Sequence, residues 1–235
     1  MLTRRVSKQS QLLLLFFYLP LYFISGSIIG SAIVKLLITE FSLKVDSQTA
    51  TLLLNLIVQG SYVIVGVLIF KDSLKKQIID FKNNLPILLK YGLLIGPALL
   101  MAGNLLGNLV TVLLQANDLS QNQEAVELLT QSFPFLMVIV TVIFAPIVEE
   151  ILFRGLIFGT LYPYNRIFAH IVSGFIFGFI HIMGAIMNGQ VSEWFLIFPY
   201  MFMGWILSYL YEKCDNIIVP ILSHGMMNLI ATLLI

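Results

Sequence analysis

Long apolar runs are the strongest constraint on this chain. They cover about residues 12–37, 51–70, 85–115, 133–161, 166–187, 193–211 and 217–235. At about 1.5 Å of rise per residue, helices of these lengths cross a hydrocarbon core of about 30 Å, some of them with tilt. Only helices and closed barrels satisfy their own backbone in lipid. Composition agrees with a membrane home. The 235 residues are 59% hydrophobic and 11% charged, with a mean hydropathy of +0.96, whereas soluble domains carry about 25% charged residues. A soluble core of this size has no room for so much apolar surface.

The expected fold class is therefore all-α: a polytopic integral membrane helical bundle of seven transmembrane helices, or eight if the long third run divides. Residues 1–130 are read as three spans and an acidic loop, and residues 131–235 as a core of four spans. The first run exceeds a signal-peptide core, and no small-residue cleavage site ends it, so it reads as a retained span. A helix in lipid tolerates its Pro20, and Gly26 and Gly30 form a small-residue packing stripe. Asn104 and Asn108, at i and i+4, are read as hydrogen-bonding glue between helices.

Lys and Arg placement sets the orientation. With the N-terminus cytoplasmic, the inner segments hold Arg4, Arg5, Lys8, Lys71, Lys75, Lys76, Lys82, Arg166 and Lys213, and the outer loops only Lys35 and Lys44. The acidic loop with Asp118, Glu124 and Glu127 falls outside. A net charge of +1 gives no footprint for a nucleic-acid partner. The single cysteine, Cys214, allows no intrachain disulfide.

Within this apolar chain, the stretch "APIVEEILFRG" places Glu149, Glu150 and Arg154 inside one span. A charge at the bilayer centre costs at least about 2.5–3.5 kcal/mol on insertion scales, so an ionisable group there is a functional candidate. Glu150 and Arg154 are i and i+4 and can pair on one face. Glu149 is turned about 100° away on a 3.6-residue helix and lacks that partner. His181 and His224 also fall well inside their spans, and Phe177 and Asn228 share their respective faces. His170 sits near a span's cytoplasmic end and reads as an ordinary interfacial histidine.

A Glu, two His and an Asn meeting in one interior fit two schemes. Glu149, His181 and His224 can hold a Zn²⁺ whose bound water attacks a carbonyl. Alternatively, with no metal, Glu149 and His181 activate water while His224 and Asn228 stabilise the oxyanion. The H-E-x-x-H zinc-protease signature is absent. The non-catalytic reading is a buried polar network that only pins helices together.

The motifs "EEILFR" (Glu149 to Arg154), "FGFIH" (Phe177 to His181) and "HGMMN" (His224 to Asn228) resemble those of the CAAX-protease and bacteriocin-processing family, also called the Abi family. It includes type II CAAX prenyl endopeptidases. The resemblance covers about residues 133–235. It implies intramembrane peptide hydrolysis, with Glu149 as base, His181 assisting on the water, His224 and Asn228 at the oxyanion, and Glu150, Arg154 and Phe177 supporting the site. It leaves the choice between zinc and no metal open.

The expected partners are the lipid bilayer and a lipophilic peptide or membrane-protein substrate, in a bacterial cell membrane. The expected roles are bacteriocin or pheromone processing, self-immunity or CAAX-type cleavage, with a site opening toward the cytoplasm. The alternative is a scaffold or immunity protein that binds a partner membrane protein without catalysis.

Overall fold

A computed structural model describes residues 6–24, 46–114 and 120–234, together with Ala32, Lys35, Leu36 and Thr39. Most of the second half of the first apolar run, with the Gly26 and Gly30 stripe, lies outside the described residues. Among the described residues all regular structure is helical. Helix α1 covers residues 8–24, α2 Ser47–Asn83, α3 Leu85–Leu113, α4 Gln121–Ser132, α5 Pro134–Leu161, α6 Arg166–Met187, α7 Val191–Cys214 and α8 Ile218–Leu233.

Five of these, α2, α3, α5, α6 and α7, are long and apolar enough to cross a membrane, and α8 is a shorter apolar helix of 16 residues. The molecule is a polytopic membrane bundle. Its outer surface shows large apolar side chains such as Ile64, Leu68, Leu94, Leu105 and Phe135, a surface suited to lipid.

Helix α2 differs most from its sequence expectation. The basic stretch after residue 70 continues the same helix, which runs for 37 residues in all, past the apolar segment of about 51–70. Nothing in "KDSLKKQIIDFKNN" breaks a helix, and tertiary contacts hold its far end. Asn216, in the turn between α7 and α8, donates to Gln77 O at 2.8 Å and to Asp80 Oδ2 at 3.0 Å. The Ile217 amide donates to Gln77 Oε1. The helix starts at Asp46, whose side chain accepts from the Thr49 amide at 2.8 Å. That backbone bond holds the Asp46 carboxyl below its usual pKa. Helix α3 stays one element across Pro97. Asn108 donates to Asn104 at 2.9 Å, and Asn104 reaches Met203 Sδ on α7, which is the interhelical glue their spacing suggests.

Three prolines shape the helices in the same way. Stretches of wide π-helical turn occupy Leu14–Tyr18, Tyr91–Ile95 and Ile139–Phe144, each ending two residues before Pro20, Pro97 or Pro146. Proline brings no N–H, and its ring crowds the carbonyl four residues back. The wide turn relieves that crowding, but in an i→i+5 register it orphans the carbonyl five residues before the proline. For Pro97 that is Gly92 O, and for Pro146 it is Thr141 O. Helix α8 reaches both positions: the one hydrogen of Ser223 Oγ is shared between Gly92 O at 3.1 Å and Val219 O of its own helix at 3.0 Å, and Asn228 Nδ2 donates to Thr141 O at 2.8 Å.

Helix α5 is the centre of the bundle, with every residue from 148 to 156 buried. Helices α6 and α7 pack along each other and close against it. Apolar contact in lipid supplies little drive for helix association, so close approach at small residues matters more. A Cβ on Gly204 would press on Gly174, and one on Gly107 would collide with the backbone of Phe198 and Pro199, joining α3 to α7. Gly107→Ala is expected to destabilise the bundle by about 1–3 kcal/mol, as overpacking does. Gly184→Ala, with open space around it, is expected to leave stability unchanged or slightly raised. Thermal unfolding of the two purified variants in detergent checks the contrast.

Candidate active site

The three motif segments meet at one place. Glu149 and Glu150 come from α5, Phe177 and His181 from α6, and His224 and Asn228 from α8. Glu150 and Arg154 are both fully buried. Glu150 Oε1 accepts from Arg154 Nη1 at 3.2 Å, and Glu150 Oε2 lies 3.0 Å from Arg154 Nε as an ion contact outside hydrogen-bond alignment. Arg154 Nη2 donates to Gly204 O on α7 at 2.9 Å. Its guanidinium also lies over the Phe177 ring, 4.9 Å from the centroid, a cation–π contact in a desolvated setting. The pairing expected from the i, i+4 spacing is present.

The sequence did not reveal that Glu150 has a second partner. Its Oε1 lies 3.0 Å from His224 Nδ1. An ionised carboxylate only accepts, so Nδ1 carries the hydrogen there and Nε2 faces the cavity. His181 is fixed in the same way: its Nδ1 lies 2.7 Å from Phe177 O, an acceptor, which leaves Nε2 for the cavity. Tyr200 of α7 stacks on the His181 ring at 4.4 Å. The Tyr200 hydroxyl in turn shares a hydrogen bond with Ser120 at 3.1 Å, just before α4. Tyr200 was missed because a lone aromatic in an apolar run gives no signal of its own.

Glu149 points into a cavity of about 310 Å³ that His181, His224, Phe177, Asn228 and Tyr200 also line. Its Oε2 is shut off from solvent and makes no hydrogen bond. It lies 3.9 Å from His181 Nε2 and 3.9 Å from His224 Nε2. These are too long for direct hydrogen bonds. Asn228 reaches the cavity with one amide hydrogen already given to Thr141 O.

Glu149, His181 and His224 carry donors that zinc accepts. Their 3.9 Å separations, however, exceed the roughly 3.3 Å that bonds of 2.0–2.1 Å in a tetrahedral site imply. Among the described residues no three His, Cys, Asp or Glu groups fit an ion as they stand.

His170 is more than an interfacial side chain. Nδ1 lies 2.7 Å from Ser208 Oγ and Nε2 lies 2.9 Å from Glu212 Oε2, while Arg166 Nε donates to Glu212 Oε1 at 2.6 Å. This cluster clamps α6 to α7 away from the Glu149 cavity. Glu212, 42 residues away in sequence, gave no sign of it.

A carboxylate and two histidines thus line one interior cavity of a helical membrane bundle. Comparison with known proteins adds the following likenesses. Residues 131–230 match the family described as Rce1-like, type II CAAX prenyl endopeptidase Rce1-like. The chain is 39% identical over 110 residues to the Bacillus subtilis (strain 168) protein named "Putative membrane peptidase YdiL", covering 46% of this chain and 41% of that one. It is 32% identical over 174 residues to an uncharacterized Mycoplasma capricolum protein, covering 70% and 48%. It is 31% identical over 87 residues to the UPF0177 protein YxdF of Lactococcus lactis, covering 37% and 43%. The matches thus span less than half the length of these relatives. No solved structure matches significantly.

Arg154→Met is expected to leave Glu150 buried without its cation and to cost about 3–5 kcal/mol. Glu150→Gln in the same chain is expected to recover much of that loss. A double-mutant cycle on unfolding in detergent checks this: strict additivity would refute the pairing.

Proposed function

We propose that the chain is an intramembrane endopeptidase that uses a glutamate-activated water. The observation carrying this reading is the buried, unpartnered Glu149 Oε2, 3.9 Å from the cavity-facing Nε2 of both histidines. A water there donates one hydrogen to Glu149 and the other to His181 Nε2. Its oxygen attacks the scissile carbonyl carbon while Glu149 takes a proton. His224, held through Nδ1 by Glu150, donates from Nε2 to the oxyanion when it is an imidazolium, and the second amide hydrogen of Asn228 adds to it. Glu149 then passes the proton to the leaving nitrogen as the C–N bond breaks, giving a carboxylic acid and an amine. Glu150, Arg154 and Phe177 position His224 and His181.

The substrates are lipophilic peptides or membrane-embedded segments of proteins. The location is a bacterial cell membrane with the N-terminus and the site's opening toward the cytoplasm, as the Lys and Arg bias suggests. In this reading no step uses a metal.

Glu149→Gln is expected to lower peptide release by at least about 10²-fold, the lower range of general-base effects, with folding intact. Comparative peptidomics of membranes from cells expressing the wild type and this variant measures it. Release is also expected to survive chelator treatment of the isolated membranes. A Glu149→Gln chain with wild-type release would favour the scaffold or immunity reading, and loss under chelator restored by zinc would replace the metal-free step.

A further inference from the structure

The family match begins at residue 131, yet the cavity has a wall outside it. Thr51, Asn55 and Gln59 of α2 line the same cavity as Glu149, His181 and His224. At i, i+4 and i+8 they follow one face of the helix. Thr51 and Asn55 turn part of their polarity back on their own helix: Thr51 Oγ1 donates to Ser47 O at 2.8 Å, and Asn55 Nδ2 to Thr51 O at 3.0 Å. Gln59 differs. Its Oε1 is closed off from solvent and has no hydrogen-bond partner among the described residues. A buried polar atom left unpaired in a membrane helix is costly, and an apolar side chain would avoid that cost.

A substrate supplies the missing partner. A peptide in lipid keeps its backbone satisfied by being helical. To present one carbonyl to an attacking water, that helix must open, and the freed N–H and C=O groups then need partners inside a dry cavity. A side-chain amide offers both a donor and an acceptor. Asn55 and Gln59 are four residues apart, about 6 Å along the helix. An extended chain repeats the backbone groups of one edge every second residue, about 6.6–6.8 Å.

We infer that Gln59, with Asn55 beside it, binds the main chain of an unwound, extended substrate segment and holds it along α2 opposite Glu149. The inference rests on the peptidase reading above. It makes the substrate class an extended peptide stretch recognised through its backbone, with loose dependence on side-chain identity. Gln59 is a binding residue and takes no part in proton transfer.

The test uses the full chain in cells carrying the wild type, Gln59→Met, Gln59→Asn or Glu149→Gln at matched levels. Peptides that appear only with the wild type define the products, and their rate of release is followed as precursor expression is raised. Gln59→Met keeps the side-chain volume and removes both hydrogen-bonding groups. It is expected to slow release about threefold to tenfold at low precursor, the range for a lost hydrogen bond, and to approach the wild type as precursor rises. Gln59→Asn is expected to fall between the two. Wild-type rates for Gln59→Met at every precursor level, with Glu149→Gln silent, would overturn the inference and leave the peptidase reading intact. An equal deficit at every precursor level would also overturn it, by assigning Gln59 to the chemical step or the fold. Release by Glu149→Gln equal to wild type would remove the peptidase reading and this inference together.

Discussion

The arrangement depends on Glu150. It is a fully buried carboxylate with no water to turn to, and it bridges Arg154 on its own helix and His224 on α8. Arg154 extends the chain of contacts to the Gly204 carbonyl of α7 and to the face of Phe177 on α6. One negative charge thus ties together four helices. In lipid, where apolar contact adds little to association, such a bridge has more relative weight than it would in water. The bridge also sets the chemistry. By holding Nδ1 of His224 it turns Nε2 toward the cavity, as the Phe177 carbonyl does for His181. Glu149, one residue earlier, is left to face that cavity without a cation.

The division between the two glutamates was legible in the sequence. One residue of helix rotates a side chain by about 100°, and an arginine four residues on decides which glutamate is paired. The similar depth of Glu149, His181 and His224 in separate apolar runs allowed them to meet, and how the helices pack decided that they do. The contact between Glu150 and His224 was hidden, because it joins residues 74 apart and depends on how α8 is rotated. Tyr200 and Glu212 were hidden for the same reason: their partners are distant in sequence and their own surroundings look ordinary. Helix α2 ran past its apolar segment because hydropathy measures where lipid ends, not where a helix does. Its end is fixed by Asn216 and Gln77, a tertiary contact.

The polar groups on α2 show a related limit. Thr, Asn and Gln in an apolar helix carry no charge, and a search for ionisable residues passes over them. Their place shows only when the cavity brings them into one lining with Glu149. The C-terminal helices and α2 wall one and the same cavity.

The carbonyls freed by Pro97 and Pro146 are sockets for α8, and the side chains at Gly92 and Thr141 have no part in making them. A backbone oxygen cannot be substituted away. Each socket is encoded by a proline five residues further on, together with the Ser or Asn that plugs it. Between Gly92 and Pro97 the fit is tight at Gly96, where a Cβ would run into Ser223, so the plug needs a glycine beside it as well as the proline. The weak points are the prolines themselves, since any other residue there would bring an N–H to compete with the plug.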